Sequence, residues 1–268
     1  VNHLLRDLAP LSPEDWALLD EEASTRLRVA LAARRLVDLR GPFGWSYSAT
    51  NLGRVGPTID AQAESIAART RRVLPVTEVR ADFSLDLLEL EANSRGAEDV
   101  DLGALDAAAL RLAGVENRAV FFGWEAAGIT GIAQASPHQA LVHDGSPAHY
   151  LQQVTQAVSV LKHSGIGGPY ALAVGPEDWV AVIEAGDDGY PVLRHLESIL
   201  SGPIEWTPGI EGAIVLSTRG EDFVLELGED FSLGYTRHDV TDIHLYLEET
   251  LTFRVNTPEA AIAIVAAS

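Results

Sequence analysis

The sequence predicts an α+β fold with a projecting β-arm, and three observations carry that reading. Stretches with helical apolar spacing alternate with stretches of period two, and the strand signals cluster after Glu78 and in the last fifty residues. One segment between the first helix and the first clear strand is too polar to build a core of its own.

The first helix is announced by its start. Ser12 is a good N-cap, Pro13 suits the first helical position, and Asp15 stands three residues after the cap. Trp16, Leu19, Ala23, Leu27, Ala30 and Leu31 then form one apolar stripe, while Leu18, Thr25, Val29, Ala32 and Leu36 form a second. Two stripes predict two partners. After Trp45, residues Ser46 to Val55 lead into a polar, Ala-rich connection from Asp60 to Arg72. From Glu78, the residues Val79, Ala81, Phe83, Leu85 and Leu87 alternate with polar neighbours, a strand with one dry face. Together these segments read as a long hairpin with its tip around residues 55 to 70, an arm expected to lie on a neighbour.

Residues 101 to 127 carry Leu102, Leu105, Ala109, Leu112, Val115, Val120 and Phe121, one long helix or two stacked ones, ended by Gly128-Ile129-Thr130-Gly131. From about Ser136 to Arg219 the rhythm is again α+β: a helix from Tyr150 to His163, a strand at Tyr170 to Val174, and helices near Pro176 and from Pro191 to Leu200. The last fifty residues return to strands. Phe223, Leu225 and Leu227 alternate with other residues, and in a final long strand His244, Tyr246, Glu248, Thr250, Thr252 and Arg254 oppose Leu245, Leu247, Leu251, Phe253 and Val255.

Composition narrows the chemistry. With 268 residues, 47% hydrophobic, the chain can bury a substantial core. It has no cysteine, so disulfides and thiolate chemistry are excluded. A net charge of -20 argues against nucleic acid as a partner. Of the 19 basic residues only Lys162 is lysine, which nearly removes Schiff-base chemistry. No run is long enough to span a membrane, and the opening Val1 to Asp7 lacks the order of a signal peptide, so a cytoplasmic location is expected.

Catalytic patterns are weak. Gly165-Ile166-Gly167-Gly168 precedes a strand and lacks the following Lys-Ser/Thr of a phosphate loop, so it reads as a turn. His143-Asp144 and His238-Asp239 are neighbours without a geometry that would orient one on the other, and no His-Glu-x-x-His or Gly-x-Ser-x-Gly motif occurs. Asp82, Asp86 and Glu89 read as a solvated face or inter-subunit ion pairs. Glu184, Asp187 and Asp188 form an acidic loop, either a plain turn or a charged constriction selecting cations. A structural or interaction protein is thus ahead of an enzyme, and no metal site is expected.

A set of segments in a fixed order resembles the encapsulins, family 1 type, the shell proteins of bacterial nanocompartments with the HK97-like phage-capsid fold. They are Leu8-Ala9-Pro10-Leu11, Trp16, Arg34-Arg35-Leu36-Val37-Asp38, Gly41-Pro42-Phe43-Gly44-Trp45, Phe83-Ser84-Leu85-Asp86, Phe122-Gly123-Trp124, Gly168-Pro169-Tyr170, Gly189-Tyr190-Pro191, Asp230 with Ser232-Leu233-Gly234-Tyr235, and Glu249-Thr250-Leu251-Thr252-Phe253. The resemblance implies an N-terminal helix and entry to the P-domain over 1–44, an extended E-loop over 45–78 and a P-domain with its spine helix over 79–135. An A-domain over 136–219 and P-domain return strands over 220–268 complete the division.

What the resemblance implies about function follows the same positions. The chain would be a non-enzymatic subunit of an icosahedral homo-oligomeric shell, a virus-like particle enclosing a cargo protein such as a ferritin-like iron oxidase for iron storage or a dye-decolourising peroxidase. The cargo's C-terminal targeting peptide, a tail ending in a Leu-Gly-Ser-Leu-like segment, would dock on Leu27, Leu31, Arg34 and Asp38 of the helix and on Asp230, Phe231, Ser232, Leu233 and Tyr235 of the sheet. Glu184, Asp187 and Asp188 would line a five-fold pore passing small ions. Leu88 stands where part of the family stacks a flavin on Trp, so no cofactor is expected, and the single lysine speaks against the Lys-Asn bonds of phage relatives. A defective-prophage major capsid protein is the alternative reading, and a hydrolase or bacteriocin-like protein a more distant one.

Overall fold

The structure, a computed structural model, describes residues 3–144, 147–184, 186–187 and 190–267. In chain order it runs α1 (Pro13–Ala30), α2 (Ala33–Leu36), β1 (Asp38–Arg40), β2 (Ala49–Asp60), β3 (Ala67–Pro75), β4 (Thr77–Asp86), α3 (Leu87–Ser94) and α4 (Gly103–Phe122). There follow α5 (Ile132–Ala135), β5 (Leu141–His143), α6 (Pro147–His163), β6 (Tyr170–Val174), α7 (Pro176–Glu184), β7 (Gly186–Asp187), β8 (Tyr190–Pro191) and α8 (Val192–Leu200). The chain closes with β9 (Ser201–Trp206), β10 (Ala213–Ser217), β11 (Phe223–Leu227), β12 (Ser232–His238), β13 (Asp242–Val255) and β14 (Ala261–Ala266).

Helix α1 begins as its sequence demands. Ser12 and Asp15 exchange side-chain to backbone hydrogen bonds at 3.0 and 3.1 Å, a complete capping box with Pro13 just inside. Ser12→Ala is expected to cost about 1 kcal/mol, read as a lower midpoint in urea unfolding; an unchanged midpoint would show that the cap carries no weight. Trp16, Leu19, Ala23, Leu27 and Ala30 are buried, with α4 the main partner of α1.

The helix stops at Ala30, short of Leu36. Leu31 leaves helical geometry at φ -78° and ψ 69°. Asn117, fully buried on α4, holds the break: its side chain accepts from the Ala33 N–H at 3.0 Å and donates to the carbonyls of Ala30 at 2.9 Å and Pro208 at 3.0 Å. Arg35 closes the open end by donating to the carbonyls of Arg28, Val29 and Leu31. The expected second stripe therefore does not exist as one face. Thr25 and Val29 are exposed on α1, while Ala32 and Leu36 are buried beyond the break.

Two five-stranded sheets organise the body. In the first, β13 pairs β4 antiparallel along one edge, while its other edge carries β12 over Ile243 to Glu248 and then β11 over Leu251 to Val255. The short β1 joins β11 in parallel. The second sheet has the order β5-β14-β10-β6-β9, with β5 and β9 parallel to their neighbours. The last strand, β14, belongs to this second sheet, pairing β10 and β5.

The arm is also redrawn. Its two strands are β2 and β3, paired from Ala49 opposite Pro75 out to Asp60 opposite Ala67, so the second half of the stretch read as a connection is itself a strand. The strand from Thr77 belongs to the body, where β4 buries Val79, Phe83 and Leu85. Helix α4 is single and ends at Gly123 (φ 86°), five residues before the expected stop. Where α4 meets the loop before β10, Gly114 and Gly209 approach so closely that a Cβ on Gly209 (φ +87°) would collide with the Gly114 carbonyl.

Candidate functional site

The break after α1 leaves a groove between that helix and the first sheet. About 370 Å³ in volume, it is lined by Asp20, Ala23, Ser24, Leu27 and Arg28 of α1, by Leu31 and Arg34, and by Asp230, Phe231, Leu233 and Leu247. Ala23, Leu27, Leu31, Leu233 and Leu247 are buried and give it an apolar floor, so Leu27 of the helix and Leu31 at its break both pack the core and face the groove. Arg28 on its rim is exposed and makes no ion pair among the described residues.

One end of the groove is polar and heavily built. Arg34, only 12% exposed, pairs with Glu116 at 2.7 Å, with Asp230 at 2.7 Å and with Glu249 at 3.0 Å. Its guanidinium also lies 4.8 Å above the centre of the Phe231 ring, which closes the groove on that side. Glu116 and Glu249 are fully buried, and each has one carboxylate oxygen with no hydrogen-bond partner. Burial, reinforced by the neighbouring Glu116 charge, pushes the Glu249 carboxyl well above its ordinary value despite the pull of Arg34. Burial alone would lower the Arg34 pKa, but Glu116, Glu249 and Asp230 outweigh it and raise it. A planar guanidinium spreads five donors over three nitrogens and here uses all three, one toward each acid, whereas a lysine would bring three donors on a single nitrogen.

Six of the nine residues expected to dock a tail are brought together here: Leu27, Leu31, Arg34, Asp230, Phe231 and Leu233. Asp38 is not. The helical spacing that would set it one turn from Arg34 ends at Leu36, and Asp38 lies on β1, where it accepts from the Glu221 N–H and lines a different, smaller pocket. Ser232 and Tyr235 also fall outside the lining: Ser232 donates to the Asp230 carbonyl, and the Tyr235 hydroxyl lies 2.6 Å from His238 Nδ1. Asp20, Ala23, Ser24, Arg28 and Leu247 were not anticipated in this role, although Ala23 belongs to the same stripe as Leu27. Of the acidic loop, Asp188 lies outside the described residues, and only the backbone of Glu184 and Asp187 falls within them.

The remaining polar motifs have local partners. His143 faces Asp178 and His149 faces Asp144, and Asp239 faces His244 at 3.6 Å. Asp82 pairs with Arg80, and Asp86 caps α3. Among the described residues no group of three or more His, Asp or Glu could hold a metal ion. Nor is any described helix long and apolar enough to cross a membrane.

Two five-stranded sheets, a long helix and an extended two-stranded arm define a capsid-type architecture. The virus-like particle of Pyrococcus furiosus superposes with a TM-score of 0.67 over 94% of this chain and 99% of its own at 16% identity, and the Mycobacterium phage Bobi structure with 0.55 over 89% and 91% at 13% identity. These likenesses establish the HK97-like fold. The family follows from sequence. Residues 1–252 match the model described as encapsulating protein for peroxidase. A type 1 encapsulin shell protein of Rhodospirillum rubrum is 43% identical across 98% of this chain and 96% of its own, and one of Mycolicibacterium paratuberculosis is 40% identical across 98% and 99%. The chain belongs to the type 1 encapsulin shell protein family.

Proposed function

We propose that this shell subunit assembles with copies of itself into a closed nanocompartment and holds a cargo enzyme by a C-terminal targeting peptide seated in the groove under α1. The groove carries this reading: an apolar floor bounded by a fixed charged end suits an extended tail that inserts alternate apolar side chains. Each Leu or Ile buried there would gain about 1.5–3 kcal/mol. The cargo is a peroxidase or a ferritin-like iron oxidase, the former in keeping with the family's description. The acidic loop at 184–188 is proposed to line a pore for small cations. No cofactor is assigned to the subunit, and Leu88 of α3 presents an exposed aliphatic side chain.

Electron microscopy and native mass spectrometry of the purified chain test the assembly. Closed particles of uniform diameter are expected. A monomer that forms no particles at any concentration would contradict the reading.

A further inference from the structure

Arg6 does not line the groove under α1, yet it touches both of its walls. Its Nη1 and Nη2 donate to the Asp20 carboxylate of α1 at 2.8 and 2.6 Å, a two-point pairing, and its Nε donates to the Leu233 carbonyl of β12 at 2.8 Å. The guanidinium also lies 4.4 Å from the centre of the Trp16 ring on α1. Asp20 and Leu233 are both groove residues, one on each wall. All three guanidinium nitrogens are thus spent on holding the helix and the strand to one planar group.

A partly exposed ion pair is ordinarily worth little, because two long side chains must be ordered to make it. Here the backbone does much of that ordering. In its sheet β12 pairs β13, and the Tyr235 N–H of β12 donates to the Leu4 carbonyl at 2.8 Å. The Tyr246 hydroxyl donates to the His3 carbonyl at 3.1 Å, the His3 ring stacks on Trp45 at 3.9 Å, and its Nε2 lies 3.2 Å from Glu229 and 3.0 Å from Glu248. Between these holds and Arg6 the chain turns through Leu5 at φ 53°, a left-handed conformation that is unfavourable for leucine and persists only where the surroundings impose it. None of residues 3–8 is buried, so the segment supplies no side chain to the core. What it supplies is the placement of Arg6.

Resting on the cargo reading above, we propose that Arg6 is a positioning residue that sets the spacing between α1 and β12, and that this spacing decides which side chains of a tail the groove accepts. A groove whose walls are tied together is pre-organised for a side chain of one size. A larger side chain must part the walls and break the tie, so the tie acts on selectivity as well as on affinity.

Two synthetic peptides, one containing Leu-Gly-Ser-Leu and one Phe-Gly-Ser-Phe, test this by fluorescence anisotropy on assembled particles. Wild-type particles are expected to bind the Phe peptide about tenfold more weakly than the Leu peptide. In Arg6→Ala the walls can separate, so the Leu peptide should weaken while the Phe peptide weakens less or gains, and their ratio should fall to about threefold or below. Arg6→Lys keeps a charge beside Asp20 but carries its donors on one nitrogen, where the contacts to Asp20 and Leu233 use three, and its ratio should fall as well. Circular dichroism and sedimentation of both variants should match the wild type, since residues 3–8 are outside the core. The proposal is overturned if the wild type does not discriminate between the peptides, or if either variant keeps the wild-type ratio. Equal weakening of both peptides, as a general loss of stability would cause, keeps that ratio and counts against it. Wild-type particles that bind neither peptide would instead contradict the groove reading itself.

Discussion

Arg34→Ala is expected to destabilise the subunit by about 3–5 kcal/mol, because it strands two fully buried carboxylates that share one cation. The loss should depend on pH, with a sign fixed by Glu249. Its folded-state pKa is raised above the ordinary 4.5, first by burial and then by Glu116, while Arg34 holds it down. A raised carboxyl contributes stability that is complete below its unfolded value and is lost as pH rises through its folded value. Without Arg34 the folded value rises further, so the deficit should be smallest at acid pH and widen once pH rises through the wild-type folded value. Urea unfolding of wild type and variant across a pH series measures this directly. A deficit that shrinks as pH rises would show that Glu249 does not titrate in this way. Arg34→Lys should recover only part of the loss, since its donors sit on one nitrogen while the contacts to Glu116, Asp230 and Glu249 use three separate guanidinium nitrogens.

The second large effect is expected in the groove. Ser24 is exposed and lines it, so Ser24→Trp should fill the space without disturbing the core. Phe231→Ala removes a wall and the ring beneath Arg34. Either substitution should weaken binding of a synthetic peptide containing a Leu-Gly-Ser-Leu segment by tenfold or more, since about 1.4 kcal/mol is one decade and a single buried leucine exceeds it. Fluorescence anisotropy on assembled particles reads the affinity. Unchanged affinity in both variants would remove the groove from cargo uptake. Leu27 and Leu31 are less suitable positions because both are also core residues.

How far the sequence revealed this site varies by residue. The start of α1 is local chemistry, so Ser12, Pro13 and Asp15 were enough to place it. Its end is not local. Asn117 holds the break from more than eighty positions away, and without it the helical spacing runs on to Asp38 and sets that residue wrongly beside Arg34. Glu249 was partly legible, since it sits in the dry phase of a strand between Leu247 and Leu251, where an acid signals a buried partner. Which cation answers it could not be read from the strand. The returning strand of the arm was missed because both its faces are largely exposed, and a strand with no dry face shows no period of two. The six groove residues that were anticipated came from the family resemblance. The five added by the structure came from helix phase and from the approach of β13.

The most direct measurement is sedimentation of particles produced together with a fluorescent reporter, with and without a C-terminal Leu-Gly-Ser-Leu-containing tail, in wild-type and Ser24→Trp shells. Reporter should co-sediment only when it carries the tail and the groove is open, with particles of the same size in every sample. Reporter that loads equally without the tail, or equally into Ser24→Trp shells, would contradict docking in the groove, and the absence of particles would contradict the shell itself.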